Sequence, residues 1–115
     1  MKNFNIEFCL ADSEYMTALR LAVGAVCAVA DVEIDSAEDM KVCVTESCLI
    51  LKGCGFSGVK VSLGTDGGVH AVVEGVGGSP SACDNEFSLA LVSALVCDCA
   101  LEKTNGAISK LTLKL

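Results

Sequence analysis

Cysteine is the residue type best able to do chemistry in this chain, and its spacing gives little to build with. There are eight: Cys9, Cys27, Cys43, Cys48, Cys54, Cys83, Cys97 and Cys99. None forms the C-x-x-C pair that holds zinc or runs thiol exchange, and the only histidine is His70. Cys97-Asp98-Cys99 is the closest pair, but its alternation fits one face of a strand as well as a ligand pair. A free cysteine commonly serves as a small buried hydrophobe, so structural thiols and no metal are expected, with zinc or redox chemistry as the alternative.

Three further features stand out by type and place. Glu46 is a lone acid in an apolar half-helix, with Val42 and Ile50 rather than a base four residues away. Its simplest reading is a solvated side chain on an outer face. Arg20 is the only arginine. Its planar donor fork suits a carboxylate on a partner, and a solubilising charge is the alternative. Gly75–Ser81 is the one glycine-rich loop, and it ends before Asp84-Asn85.

The elements that must position these residues are legible from periodicity. Asp35–Gly53 reads as the central helix, with Ser36 and Asp39 spaced as a capping box and Gly53 as a left-handed stop. Acids at 35, 38 and 39 face the positive end of its dipole and Lys52 the negative end. Met40, Val44, Ser47, Cys48 and Leu51 make its core-facing stripe. Before it, Lys2–Leu10 alternates as a half-buried strand, and a helix starting at Ala11–Glu14 runs to about Ala30. After it come strands at Gly58–Leu63 and Val69–Val73 about the turn Thr65–Gly68, then a helix over Glu86–Val96 capped by Asn85. Cys97–Lys103 and Ala107–Leu115 form a hairpin about Thr104-Asn105-Gly106, since Asn-Gly is the strongest short hairpin signal. The order is β-α-α-β-β-α-β-β. It predicts an α+β two-layer sandwich, a mixed, mostly antiparallel sheet of about five strands with three helices on one face.

Composition bounds the class. The chain has 115 residues, enough for one domain, and 52% of them are apolar. With one Tyr, four Phe and no Trp, the core must be built from Val, Leu, Ala and Cys. A net charge of −7, with eight scattered basic residues, argues against nucleic acid or anionic membrane as partner and favours a basic protein surface. The longest nearly apolar run, Leu21–Ala30, is too short to span a bilayer, and no signal-like segment opens the chain, so a cytoplasmic protein is expected.

Four stretches together resemble the bacterial anti-sigma-factor serine kinases of the GHKL (histidine-kinase-like) ATPase superfamily. Leu19-Arg20-Leu21 looks like that family's first-helix arginine segment. Asp39–Cys48 looks like its asparagine-box helix up to the glutamate, Val72–Gly77 sits where its first glycine box belongs, and Phe87–Leu115 looks like its last helix and hairpin. The resemblance implies one such ATPase domain over residues 1–115, with Glu46 at the position of the glutamate that polarises the attacking hydroxyl.

The chain departs from that pattern where the nucleotide would bind. Ile50 stands where an asparagine holds Mg²⁺, and Val73 where an aspartate bonds adenine. An alternative register offers Glu74 instead, at the loss of one glycine match to Gly75 and Gly77. The lid is cut to Gly78–Asp84, and Glu86-Phe87-Ser88 replaces the second glycine box. The expectation is a degenerate pocket with no cofactor, a vestigial Glu46, and a noncatalytic regulator that binds a protein through Arg20, Glu14 and Asp12. The resemblance implies a sigma factor or anti-anti-sigma-like protein as that partner, with a homodimer as a further possibility. The alternative is a divergent serine kinase that still binds ATP and Mg²⁺. A third reading leaves the vacated pocket open to an apolar ligand, against the preferred one in which side chains fill it.

Overall fold

The computed structural model describes residues 3–96 and 98–115. Its elements are β1 (Asn3–Cys9), α1 (Tyr15–Val29), α2 (Ile34–Gly53), β2 (Gly58–Gly64), β3 (His70–Val76), α3 (Glu86–Leu95), β4 (Asp98–Thr104) and β5 (Ala107–Lys114). The expected order is therefore found. The expected strand starts at Lys2 and Cys97 lie outside the described residues. The strands lie in the order β1-β2-β3-β5-β4, and every neighbouring pair is antiparallel. The sheet is not mixed as expected. Tight turns reverse the chain between β2 and β3 and between β4 and β5, and each helical connection also returns it to an antiparallel neighbour or to the far edge.

The two faces of the sheet divide cleanly by chemistry. Val59, Val61, Leu63, Ala71, Val73, Leu111 and Leu113 are buried on the helix side. On the other side the register places Glu7, Lys60, Glu74, Lys110 and Glu102 opposite one another in turn across all five strands. Charge alternates along that row, so each base stands between two acids, and Lys110 Nζ approaches Glu102 at 3.4 Å. Directly opposed unlike charges favour this register over its neighbours, since a slip by one residue would turn the apolar set outward. The Asn105-Gly106 turn has φ of 52° and 81°, the left-handed pair that a two-residue hairpin needs.

Helix α2 crosses the middle of the sheet over β2, β3 and β5, with α1 and α3 packed on either side of it. The expected stripe of Met40, Val44, Ser47, Cys48 and Leu51 is buried, and Cys43 and Ile50 widen it. Four of the described cysteines, at 27, 43, 48 and 54, are core residues. Gly24 of α1 lets the Lys41 stem cross close by, for a Cβ there would stand 3.0 Å from Lys41 Cε.

Helix α2 ends at Gly53 as expected, but the caps differ from expectation. The first residue of α2 is Ile34 after Glu33, so Ser36 lies inside the first turn and no side chain caps that end. The left-handed residue is Gly55, at φ 99°, rather than Gly53: Gly53 is the last helical residue, Cys54 caps it, and the chain reverses one residue later. Asn85 stands at the N-cap position of α3 as expected, but its side chain makes no cap hydrogen bond. The nearby acceptor is Asp84 Oδ1, which takes the Glu86 N–H at 3.3 Å. Among the described residues no helix is long and apolar enough to cross a membrane.

Candidate functional site

Of the residues singled out for a nucleotide site, the structure joins Glu46 directly to Ser88, across α2 and α3. Glu46 is half-buried and faces α3, where its Oε1 accepts a hydrogen bond from Ser88 Oγ at 3.4 Å. The outer-face reading of Glu46 is corrected accordingly: the acid bridges two helices because α3 packs along that side of α2. One turn earlier, Cys43 Sγ donates to Val92 O at 3.7 Å in the same helix pair. Ser47 turns back on its own helix and donates to Cys43 O at 2.7 Å.

Ile50 and Val73 point into the core and are 3% and 0% exposed. Both belong to the core in which α2 packs on β3. Gly75 and Gly77 have close neighbours of their own. The Phe56 ring packs on Gly75, where a Cβ would stand 2.5 Å from ring Cγ, and Ser57 lies against Gly77. β3 runs three residues beyond Val73, because Glu74, Gly75 and Val76 pair with Lys60, Val59 and Gly58 of β2. Gly75 is therefore a strand residue, and the free loop begins only at Gly77.

That loop folds back over the end of α2. Ser79 N–H donates to Gly55 O at 3.1 Å and Ser81 N–H to Cys54 O at 2.7 Å. The return brings Cys83 Sγ to 2.7 Å from Cys54 Sγ, with Asn85 Nδ2 at 3.9 Å and 4.0 Å from the two sulfurs. Cys54 is 1% exposed and Cys83 half-buried. Burial pushes the Cys83 thiol up to about 11, with the Cys54 sulfur and the Asp84 carboxylate adding to it and the Asn85 amide opposing. The spacing of these two cysteines carries no signal in the sequence; only the loop's return to the helix end joins them.

Two deeper thiols are also raised. Burial takes Cys48 to about 12, and burial followed by the charge of Asp39 takes Cys43 to about 11. Neither is a thiolate near neutral pH, which suits their place in the core. Among the described residues no cluster of three or more His, Cys, Asp or Glu side chains could hold a metal ion.

The three residues expected at a partner surface are not joined to one another. Arg20 is exposed on α1 and its Nη2 donates to Thr17 Oγ1 at 3.3 Å. Asp12 and Glu14 precede the helix in the turn that starts it, where Asp12 O accepts the Tyr15 N–H at 3.0 Å. An apolar cavity of about 450 Å³ opens elsewhere, between α1 and the β1 edge, lined by Phe4, Ala22, Ala25, Val26, Val29 and Leu63 among others. Sequence reasoning missed it, since small residues at helical spacing read equally well as a packed face.

No protein-family model matches this chain, and no curated protein matches it at the level that would mark a relative.

Proposed function

We propose that this domain is a noncatalytic protein-binding regulator of the kind its sequence resembles, acting in sigma-factor or partner-switching signalling. The observation that carries the noncatalytic half is Phe56 on Gly75, together with Ile50 and Val73 closed into the core. Under the sequence resemblance, the positions that would meet Mg²⁺ and adenine are Ile50 and Val73, both apolar and buried, and the first glycine is covered by a ring. Glu46 has Ser88 as its partner there, so its carboxylate is held between helices rather than aimed at a substrate hydroxyl.

The binding half rests on charge and exposure. A chain of net charge −7 favours a basic partner surface, and Arg20 adds a single planar fork that can engage one partner carboxylate. β1 and β4 are the free edges of the sheet, where a second copy could add strands.

Calorimetric titration of the folded protein with Mg·ATP and Mg·ADP tests this reading. No heat at high micromolar nucleotide is expected. Binding with a micromolar constant would overturn it and put the divergent serine kinase first.

A further inference from the structure

Cys54 and Cys83 stand 29 residues apart in sequence and 2.7 Å apart at sulfur. They also belong to two segments already held together. The loop's Ser79 and Ser81 donate backbone hydrogen bonds to Gly55 and Cys54, so the helix end and the loop keep the sulfurs side by side without any covalent tie. A disulfide needs its sulfurs at about 2.05 Å, and a small approach closes that distance. The pair is graded in access, with Cys54 sealed and Cys83 half-open to solvent. An accessible thiol beside a second thiol that can resolve a mixed disulfide is an arrangement that exchange chemistry uses.

We propose that Cys54 and Cys83 are a reversible oxidation site, closed to an intramolecular disulfide by exchange with a small-molecule disulfide of the glutathione class. The Cys83 thiolate attacks one sulfur of oxidised glutathione, forming a mixed disulfide and expelling one glutathione thiolate. The Cys54 thiolate then attacks the Cys83 sulfur, forming the Cys54–Cys83 bond and expelling the second. The protein gives up two electrons and two protons; the small disulfide takes up both and leaves as two thiols. The consequence is mechanical: the loop after β3 becomes covalently fixed to the end of α2. This site is separate from the partner-binding reading and stands or falls without it.

The rate carries a signature. Because the Cys83 thiol sits high at about 11, its thiolate fraction, and with it the closing rate, should rise about tenfold per unit between pH 7 and 9. The exposed Cys9 serves as an internal comparison, taking glutathione as a mixed disulfide only.

The test incubates the reduced full chain with reduced and oxidised glutathione at graded ratios and pH, quenches with acid, alkylates, and maps peptides by mass spectrometry. One bond between Cys54 and Cys83 is expected, reversed by excess reduced glutathione. Cys83→Ser should leave Cys54 as a free thiol, and this half-buried site keeps the test intact where Cys54→Ser fails to fold. Any of three results would overturn the proposal: both thiols surviving the most oxidising ratio, a Cys83–glutathione adduct that does not resolve, or closure of another pair such as Cys43–Cys99.

Discussion

Phe56 lies on Gly75 so closely that a methyl group on the glycine would stand 2.5 Å from the ring's Cγ. Glycine is required at this position by the ring rather than by backbone conformation, since Gly75 is an ordinary strand residue paired with Val59. Gly75→Ala should therefore destabilise by about 1–3 kcal/mol, the usual cost of overpacking. Phe56→Ala combined with it should recover part of that loss in a double-mutant cycle read by urea unfolding. A neutral Gly75→Ala would mean that the ring moves aside freely and does not cover the glycine as described.

Ile50 is the complementary case, a side chain whose apolar character is needed. Ile50→Asn would introduce the amide that the family resembled in sequence uses as a metal ligand. At 3% exposure the amide has no partner, so a loss of about 2–5 kcal/mol is expected, with no gain of Mg·ATP binding. Measurable nucleotide binding by this single variant would show that the rest of the pocket is open.

Arg20 tests the opposite kind of position. Its guanidinium is exposed and, among the described residues, hydrogen-bonds Thr17 of its own helix. Arg20→Glu should leave the melting temperature within about 2 °C, as exposed substitutions do, while abolishing capture of a protein partner. A large fall in melting temperature would make Arg20 a structural residue and remove it from the binding surface.

Lys60 sits between Glu7 and Glu74 on the open face of the sheet. Lys60→Glu would set three acids in a row where unlike charges now alternate. A loss of about 1–2 kcal/mol is expected, shrinking as salt screens the exposed row. Equal stability of variant and parent at low ionic strength would deny the row any part in fixing the register.

What could be read in advance and what could not divides along a physical line. The α2 stripe and the Asn105-Gly106 turn were legible because period 3.6 and positive φ are local requirements. The helix caps were not, because the entry at Glu33 and the left-handed turn at Gly55 depend on where the chain must go next. Gly75 looks like loop by composition, yet pairing with β2 makes it strand. Phe56 on Gly75, Ser88 on Glu46 and Cys83 on Cys54 are contacts between distant segments, which no spacing rule encodes. The individual residues could be picked out in the sequence, while the contacts they make emerged only from packing.

The buried thiols set a limit on stability at high pH. Cys48 rises from 9.0 to about 12 through burial, and Cys43 to about 11 through burial with Asp39 adding. The folded state thus keeps protons that the unfolded chain releases above pH 9. These groups contribute stability in full below that point, and the contribution is lost as pH rises from about 9 towards 12. The urea midpoint should accordingly stay level from the thiols' side up to pH 8 and fall beyond 9. Cys48→Ala would be less stable at neutral pH because it leaves a small cavity, but its midpoint should fall less steeply over the alkaline range. If variant and parent lose stability with the same slope above pH 9, Cys48 does not govern that loss.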